Sequence, residues 1–562
     1  MSPSPGERAS RNVAEHLKSA ALRDPDRIAV VVPGARGSAD GDARITYGEL
    51  DIESDALAAG LHGYGIGPGT RAVVMVRPSI DFFALVFALF KARVVPVLID
   101  PGIGLRAIGR ACRESAPAVF IGVPRAVAAQ RVFGWGRSTI KRRIVVGRGR
   151  SGSLARGALA LDDLRARGIE PMDENLESAV IDDDLAAILF TSGSTGPPKG
   201  ARYTHAIFNA QIEAFRGLYQ IEPVEIDLCT FPLFALYAPA LGMTAIVPVM
   251  DPTRPGRVDP ANIIEPLARY RVTNLFGSPA LLRRLVEGAE KASARFPTLK
   301  RIVSAGAPAS PRVLERLAPL LDPPAQIYTP YGATEALPVA SIGSAEILGE
   351  ARHETDLGRG VCVGRPVAGL EVAIIPIHDE AIPVWSSDLR LPVGSTGEIA
   401  VSGAVVTRGY YNRPEATLAS KIVDPRTGRL YHRMGDVGRL DEQGRIWFLG
   451  RKSHRVIVGE TTLFTIPCES IFNTHPDVAR SALVGARRGG EVVPTICIEP
   501  TRRLDRGERA RITRELLERA AAFPHTRLIK TILFHRSFPV DVRHNSKIFR
   551  ERLAVWASRR LP

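Results

Sequence analysis

Leu189-Phe190-Thr191-Ser192-Gly193-Ser194-Thr195-Gly196-Pro197-Pro198-Lys199-Gly200 carries an apolar run into a loop of small, hydroxylated residues that ends on one lysine. Residues 185–190, Leu-Ala-Ala-Ile-Leu-Phe, read as a buried strand. Glycines let backbone N–H groups turn inward, the hydroxyls add donors, and Lys199 adds a point charge, so the loop suits anionic oxygens. It is not the G-x-x-x-x-G-K-[ST] phosphate loop. Gly/Ser/Thr/Pro clusters also make flexible linkers, but a linker needs neither a buried strand before it nor a lysine after it.

On the N-terminal side, Thr46-Tyr47-Gly48-Glu49 is a capping-box pattern that opens a helix to about residue 61. A strand at 71–76, an apolar helix at 79–92 and a strand at 94–99 follow. The same grammar returns at 113–146 and 262–305, where Arg301-Ile302-Val303 ends in a turn at Gly306. Strands alternating with helices predict βαβ units and parallel sheet, hence an α/β fold. After about residue 370 the texture changes to short strands and frequent turns, up to 446–449. Beyond 451 lies a charged, mixed segment with an Arg/Glu-rich helix near 505–522 and a last helix from Lys547. A chain of 562 residues is too long for one ordinary core.

Composition excludes several classes. Hydrophobic residues make up 45%, as in a globular protein. The five cysteines are scattered and form no C-x-x-C pair, which argues against a disulfide framework or zinc site and for a reducing, cytoplasmic setting. The N-terminus has no apolar signal region, and the longest apolar stretch, near 82–90, is far short of a membrane span. The net charge of +15 rests on arginine: only ten of the 74 basic residues are lysine. Residues 131–156 hold eight basic residues and no acidic one, and read as a surface insertion. Without interleaved aromatics, the expectation is no nucleic acid, and at most a peripheral attraction to membranes. Scarce lysine also singles out Lys199 and Lys547, where a compact cation is chemically useful.

The loop at 189–200 resembles the phosphate loop of the acyl-adenylate-forming superfamily, and further matches follow in that family's order. They are Ala305-Gly306-Ala307-Pro308, Tyr331-Gly332-Ala333-Thr334-Glu335, Gly397-Glu398-Ile399, Gly409-Tyr410, Gly435-Asp436, Gly450-Arg451 and Lys547-Ile548-Phe549-Arg550. The resemblance implies a large N-terminal adenylation domain at 1–449, built of βαβ sheets plus a short-strand subdomain, and a small mobile α+β lid at 450–562. It implies ATP and Mg²⁺ as cofactors. Thr191, Ser192, Gly193, Ser194, Thr195, Gly196 and Lys199 would hold the β- and γ-phosphates. Tyr331 and Gly332 would lie at the adenine, against the wall of Gly306, Ala307 and Pro308, with Thr334 on the α-phosphate and Glu335 on Mg²⁺. Asp436 would take the ribose hydroxyls, and Arg451, fifteen positions on, would make the second ribose or phosphate contact. Lys547 would swing in to bridge carboxylate and α-phosphate.

Departures from the family pattern narrow the function. Met434 replaces a more usual Thr, and Ser453 stands at the hinge. Gly459 lies eight positions before Pro467, so the loop that would line a pantetheine tunnel is altered. Ala235 replaces the His of many CoA ligases after Phe231-Pro232-Leu233-Phe234. The segments 231–242, 251–255, 329–340 and 538–545 are similar to the olefin β-lactone synthetases of long-chain hydrocarbon biosynthesis. That resemblance implies ATP-dependent conversion of a 2-alkyl-3-hydroxy fatty acid, through its acyl adenylate, to a β-lactone, and association with other enzymes of the pathway. The alternative is a long-chain acyl-CoA synthetase; a non-catalytic nucleotide sensor would not need Lys199, Glu335, Asp436 and Lys547 together. No base for the hydroxyl stands out, and His205 reads as structural.

Overall fold

The structure, a computed structural model of the 562-residue chain, describes residues 9–34, 41–147, 157–168, 180–181, 183–191, 197–540 and 548–561. Ser192, Gly193, Ser194, Thr195, Gly196 and Lys547 lie outside the described residues, as does 148–156 of the basic segment.

Two large sheets form the body. The seven-stranded sheet runs Lys199–Thr204, Leu185–Thr191, Val95–Ile99, Arg71–Met75, Val119–Gly122, Arg142–Val145, Leu159–Ala160. Every pairing in it is parallel except the edge pair Leu185–Thr191 with Lys199–Thr204. The nine-stranded sheet is parallel from Gln326–Ala333 through Arg301–Val303, Asn274–Phe276, Ile226–Cys229 and Thr244–Ile246 to Ile28–Val32, with antiparallel strands at both edges. Strands covered on both faces read as continuous apolar runs, which is why 185–190 and 94–99 were legible.

Helices Tyr47–Gly63, Ile80–Lys91 and His205–Tyr219 contribute to the largest apolar core. Thr46 closes the predicted capping box with Glu49, and the helix runs two residues beyond the expected 61. Ile80–Lys91 is buried at every position from Phe82 to Lys91. Part of the basic segment departs from the surface-insertion expectation: Arg142–Val145 is a strand of the seven-stranded sheet, because Ile144 and Val145 turn into the core.

The short-strand texture after 370 is a six-stranded sheet containing Glu371–Ile375, Gly397–Ser402, Leu430–Leu440 and Ile446–Arg451, with Lys421–Val423 beside Leu430–Leu440. After the turn Lys452–His454 the chain builds a three-stranded sheet, Val478–Arg488, Glu491–Pro500 and Thr531–Phe534. Helices Thr465–Asn473 and Arg506–Ala521 share its apolar core. The last helix is Arg550–Ser558, three residues later than the sequence suggested.

Candidate active site

Two hairpins and one strand pair converge on a single cavity of about 1950 Å³. The first hairpin joins Leu185–Thr191 to Lys199–Thr204 and sets Thr191 opposite Lys199. Lys199 Nζ lies 5.0 Å from the centre of the Tyr410 ring.

The second hairpin joins Gln326–Ala333 to Ala336–Gly343 and leaves Thr334 and Glu335 at its tip. A Cβ at Gly332 would lie 2.6 Å from the Ala336 carbonyl oxygen, so glycine is what lets the returning strand come this close. The tip is pinned from both sides. Tyr203 OH donates to the Thr334 carbonyl at 2.6 Å, and Tyr410 OH donates to Glu335 Oε1 at 2.6 Å. The Thr407 amide donates to the Glu335 carbonyl at 2.9 Å.

The third element is the pairing of Leu430–Leu440 with Ile446–Arg451, which places Asp436 directly opposite Arg451. Arg451 Nη1 stands 3.0 Å from Asp436 Oδ1, and Tyr331 OH donates to Asp436 Oδ2 at 2.7 Å. Asp436 is only 2% exposed, and its Oδ1 has that charge beside it but no aligned hydrogen bond. A buried carboxylate oxygen in that condition retains the capacity to accept a further hydrogen bond. Burial raises the Asp436 carboxyl above its ordinary range, while Arg451 and Tyr331 act to keep it charged.

Gly306, with φ 94°, makes the turn that the sequence anticipated after Arg301–Val303. Gly306, Ala307 and Pro308 line the same cavity as Lys199, Tyr331, Gly332, Thr334, Glu335, Asp436 and Arg451. Ile548, Phe549 and Arg550, which follow Lys547, line it too. Arg550 is held there by a two-pronged pair with Glu469, at 2.5 and 3.0 Å.

Sequence reasoning missed several groups around this site. Lys421 is buried, donates to the Thr407 carbonyl, and is pushed by burial from 10.5 down to about 7. Across the strand pair stands His432, held neutral by burial and by the Lys421 charge, with its buried Nδ1 lacking a hydrogen bond. Glu398 is clamped between Arg433 at 2.7 Å and Lys452 at 3.1 Å, while Lys452 also reaches the His378 carbonyl at 2.7 Å. The scarcity of lysine that singled out Lys199 and Lys547 would equally have flagged Lys421 and Lys452.

Glu335 is a single carboxylate at the tip of the second hairpin. Among the described residues no cluster of three or more His, Cys, Asp or Glu could enclose an ion. That donor set fits Mg²⁺, which commonly takes one or two protein carboxylates and fills its remaining positions with phosphate oxygens and water.

The rest of the cavity is largely apolar. Phe208, Ile212, Phe231, Phe234 and Tyr237 line it, and Phe234 stacks on Phe276 with ring centres 4.2 Å apart. Gln211 ties this wall to the second hairpin, donating to the Leu337 carbonyl at 2.9 Å and accepting from Tyr237 OH. Ala235 is buried in the short helix Pro232–Ala235. In the altered hinge loop, Val456–Val458 and Thr461–Leu463 pair around Gly459, and helix Thr465–Asn473 takes in Pro467. His205 fits its structural reading: it is buried, its Nδ1 accepts from the Val13 amide at 3.1 Å, and burial lowers it to about 4. All five cysteines are free and buried.

Lys199, Glu335, the buried Asp436 with Arg451, and an apolar wall line one cavity, a set of groups that suits an acid-activating site. The sequence signature of the AMP-binding enzymes matches residues 17–411, and the chain belongs to this family of acid-activating, acyl-adenylate-forming ligases. Over 553 residues it is 46% identical to the olefin beta-lactone synthetase of Xanthomonas campestris pv. campestris, covering 97% of each chain. Over 558 residues it is 47% identical to the olefin beta-lactone synthetase of Stenotrophomonas maltophilia, covering 98% of each. Among solved structures it resembles an amide bond synthetase from Marinactinospora thermotolerans, with TM-score 0.76 and 21% identity over 97% of this chain and 99% of that one. The O-succinylbenzoate coenzyme A synthetase of Bacillus subtilis, solved with ATP and magnesium ion, matches with TM-score 0.73 and 20% identity over 98% and 100%. At such identities these two structures establish the adenylating-enzyme fold alone.

Proposed function

We propose that the protein is an ATP-dependent β-lactone synthetase acting on a 2-alkyl-3-hydroxy long-chain fatty acid. The observation that carries this reading is the near full-length identity to two olefin beta-lactone synthetases. In the first step a carboxylate oxygen attacks the α-phosphorus of ATP and the bond to pyrophosphate breaks. Two anions meet there, so cationic and fixed donors supply the rate. Lys199 and the 191–196 loop would hold the β- and γ-phosphates, Thr334 the α-phosphate, and Asp436 the ribose hydroxyls. Glu335 would hold Mg²⁺, which when bound offsets charge on the phosphates.

In the second step the substrate's β-hydroxyl oxygen attacks the acyl carbonyl, the hydroxyl proton departs, and the bond to AMP breaks. The ring is strained, so a good leaving group and an enforced approach of hydroxyl to carbonyl are both required. The mixed anhydride supplies the first, and an apolar pocket that confines the chains supplies the second. An internal nucleophile needs no CoA, in keeping with the altered loop from Ser453 to Pro467 and with Ala235. Residues 450–562 would act as a lid pivoting at Lys452–His454, with Lys547 brought to the reacting centre through its neighbours Ile548 and Arg550. Association with other hydrocarbon-pathway enzymes belongs to the same reading. Incubation with ATP, Mg²⁺, the hydroxy acid and CoA, followed by mass spectrometry, tests it. A lactone formed equally with and without CoA is expected, and a CoA thioester as the product would replace it with the acyl-CoA synthetase.

A further inference from the structure

Residues 104–147 carry nine basic side chains and one acidic one, Glu114, which Arg413 neutralises at 2.7 Å. In helix Leu105–Ser115, Ala107, Ile108, Ala111 and Cys112 are buried, while Arg106, Arg110 and Arg113 recur at successive turns on the exposed side. Arg125 and Arg137 are exposed as well. Among the described residues, none of Arg106, Arg110, Arg125 and Arg137 pairs with a carboxylate.

Large apolar side chains stand out among these cations. Phe133 is 52% exposed, Val132 68% and Leu105 52%. They belong to one neighbourhood: Phe133 stacks on Trp135 at 5.5 Å, and a Cβ on Gly109, one turn after Leu105, would lie 3.2 Å from the Trp135 ring. Exposed apolar groups ringed by unpaired cations suit the boundary of an anionic bilayer, where rings enter the headgroup layer and arginines meet phosphates.

The active-site cavity reaches this face. Leu105, Ile108, Arg110, Ala126, Ala129 and Trp135 line the same cavity as Lys199 and Thr334. This arm lies against the core on the other side of the seven-stranded sheet from the Phe208 and Phe234 wall. Among the described residues no helix is long and apolar enough to cross a membrane, so contact would be peripheral.

We propose that the face made by helices Leu105–Ser115 and Pro124–Val132 and the turn through Phe133 docks on a bilayer bearing anionic lipid, and that the cavity arm beside it admits a lipophilic acid from that bilayer. Docking rests on the proposed reaction only through the long-chain acid delivered; binding measured without substrate is independent of which product forms.

The test is co-sedimentation of the full-length protein with vesicles of phosphatidylcholine alone, and of phosphatidylcholine with phosphatidylglycerol in equal parts. The wild type binds the mixed vesicles and hardly the neutral ones. Arg125→Ala and Arg137→Ala each weaken binding by about fivefold, as expected for one cation at an anionic surface. Phe133→Ser weakens it several-fold at unchanged salt. All three variants release pyrophosphate from a short, water-soluble acid as the wild type does, which also reports that they are folded. Equal binding to both vesicles, or none, would overturn the proposal. So would a Phe133→Ser variant that binds like wild type while the arginine variants do not, since that pattern describes a polyanion site such as one for nucleic acid.

Discussion

Asp436 and Arg451 face each other across adjacent antiparallel strands, with Arg451 Nη1 3.0 Å from Asp436 Oδ1 and Tyr331 OH on the opposite oxygen at 2.7 Å. The fourteen residues between them complete the two strands and the turn at 441–445 that bring both to the cavity. Arg451 and Tyr331 thus fix the carboxylate and leave Oδ1 short of an aligned donor.

Asp436→Ala removes that acceptor and leaves Arg451 without its counter-charge. Nucleotide affinity falls by roughly 10–100-fold, the range for losing hydrogen bonds to a charged group. Tyr331→Phe, which keeps the carboxylate, costs less. Titration of the protein with ATP reads both, and an Asp436→Ala variant that binds normally would mean the ribose sits elsewhere.

Glu335→Gln keeps the shape of the hairpin tip but removes a charged oxygen, so the Mg²⁺ concentration for half-maximal pyrophosphate release rises by roughly tenfold. Tyr410→Phe removes the hydroxyl that donates to Glu335 Oε1 at 2.6 Å and shifts the same midpoint less, in the same direction. Identical Mg²⁺ curves for all three proteins would remove Glu335 from the metal.

Lys547→Ala slows pyrophosphate release by ~10²–10³-fold, the size of effect seen when one donor to a developing charge is lost. ATP binding stays within a few-fold, because the side chain acts on the transition state. Near-normal pyrophosphate release by this variant would leave the lysine without a role.

Lys421 makes a prediction about stability. Its amino group titrates near pH 7 when folded, against 10.5 when exposed. Between these values the unfolded chain holds a proton that the folded chain has given up, so unfolding becomes harder as pH rises, by up to ~1.4 kcal/mol per pH unit. Below about 7 both states are protonated and the full cost of burying the charge remains. Lys421→Met has no such slope. Its stability relative to wild type is greatest at pH 7 and below, and the gap narrows steadily toward pH 10. Parallel denaturation curves across that range would show that the lysine is not buried charged at low pH.

The parts of this protein legible in its sequence are those set by local pattern. The apolar runs at 71–76, 94–99 and 185–190 are strands because both faces are covered, and Thr46 with Glu49 caps a helix as written. Gly306 and Gly332 were legible because a turn at φ 94° and the close return of strand Ala336–Gly343 each need glycine. Cross-strand pairing was not legible. Nothing local says that Lys421 will oppose His432, that Tyr410 will orient Glu335, or that Arg433 and Lys452 will share Glu398, since each contact joins segments brought together only by the sheet. The basic stretch misled for the complementary reason: Arg142 and Arg143 read as surface, yet Ile144 and Val145 place the same four residues in a sheet.

The β-hydroxyl of the substrate as the second nucleophile is tested most directly by comparing two acids that differ only in that group, with ATP and Mg²⁺ and without CoA, following pyrophosphate over time. The acid lacking the hydroxyl should be adenylated once per enzyme and stall as bound acyl adenylate, because the first step uses only the carboxylate. The hydroxy acid should turn over repeatedly and yield a product lighter by one water. Slow or single turnover of both acids without CoA, with rapid turnover of the plain acid once CoA is added, would contradict lactone formation.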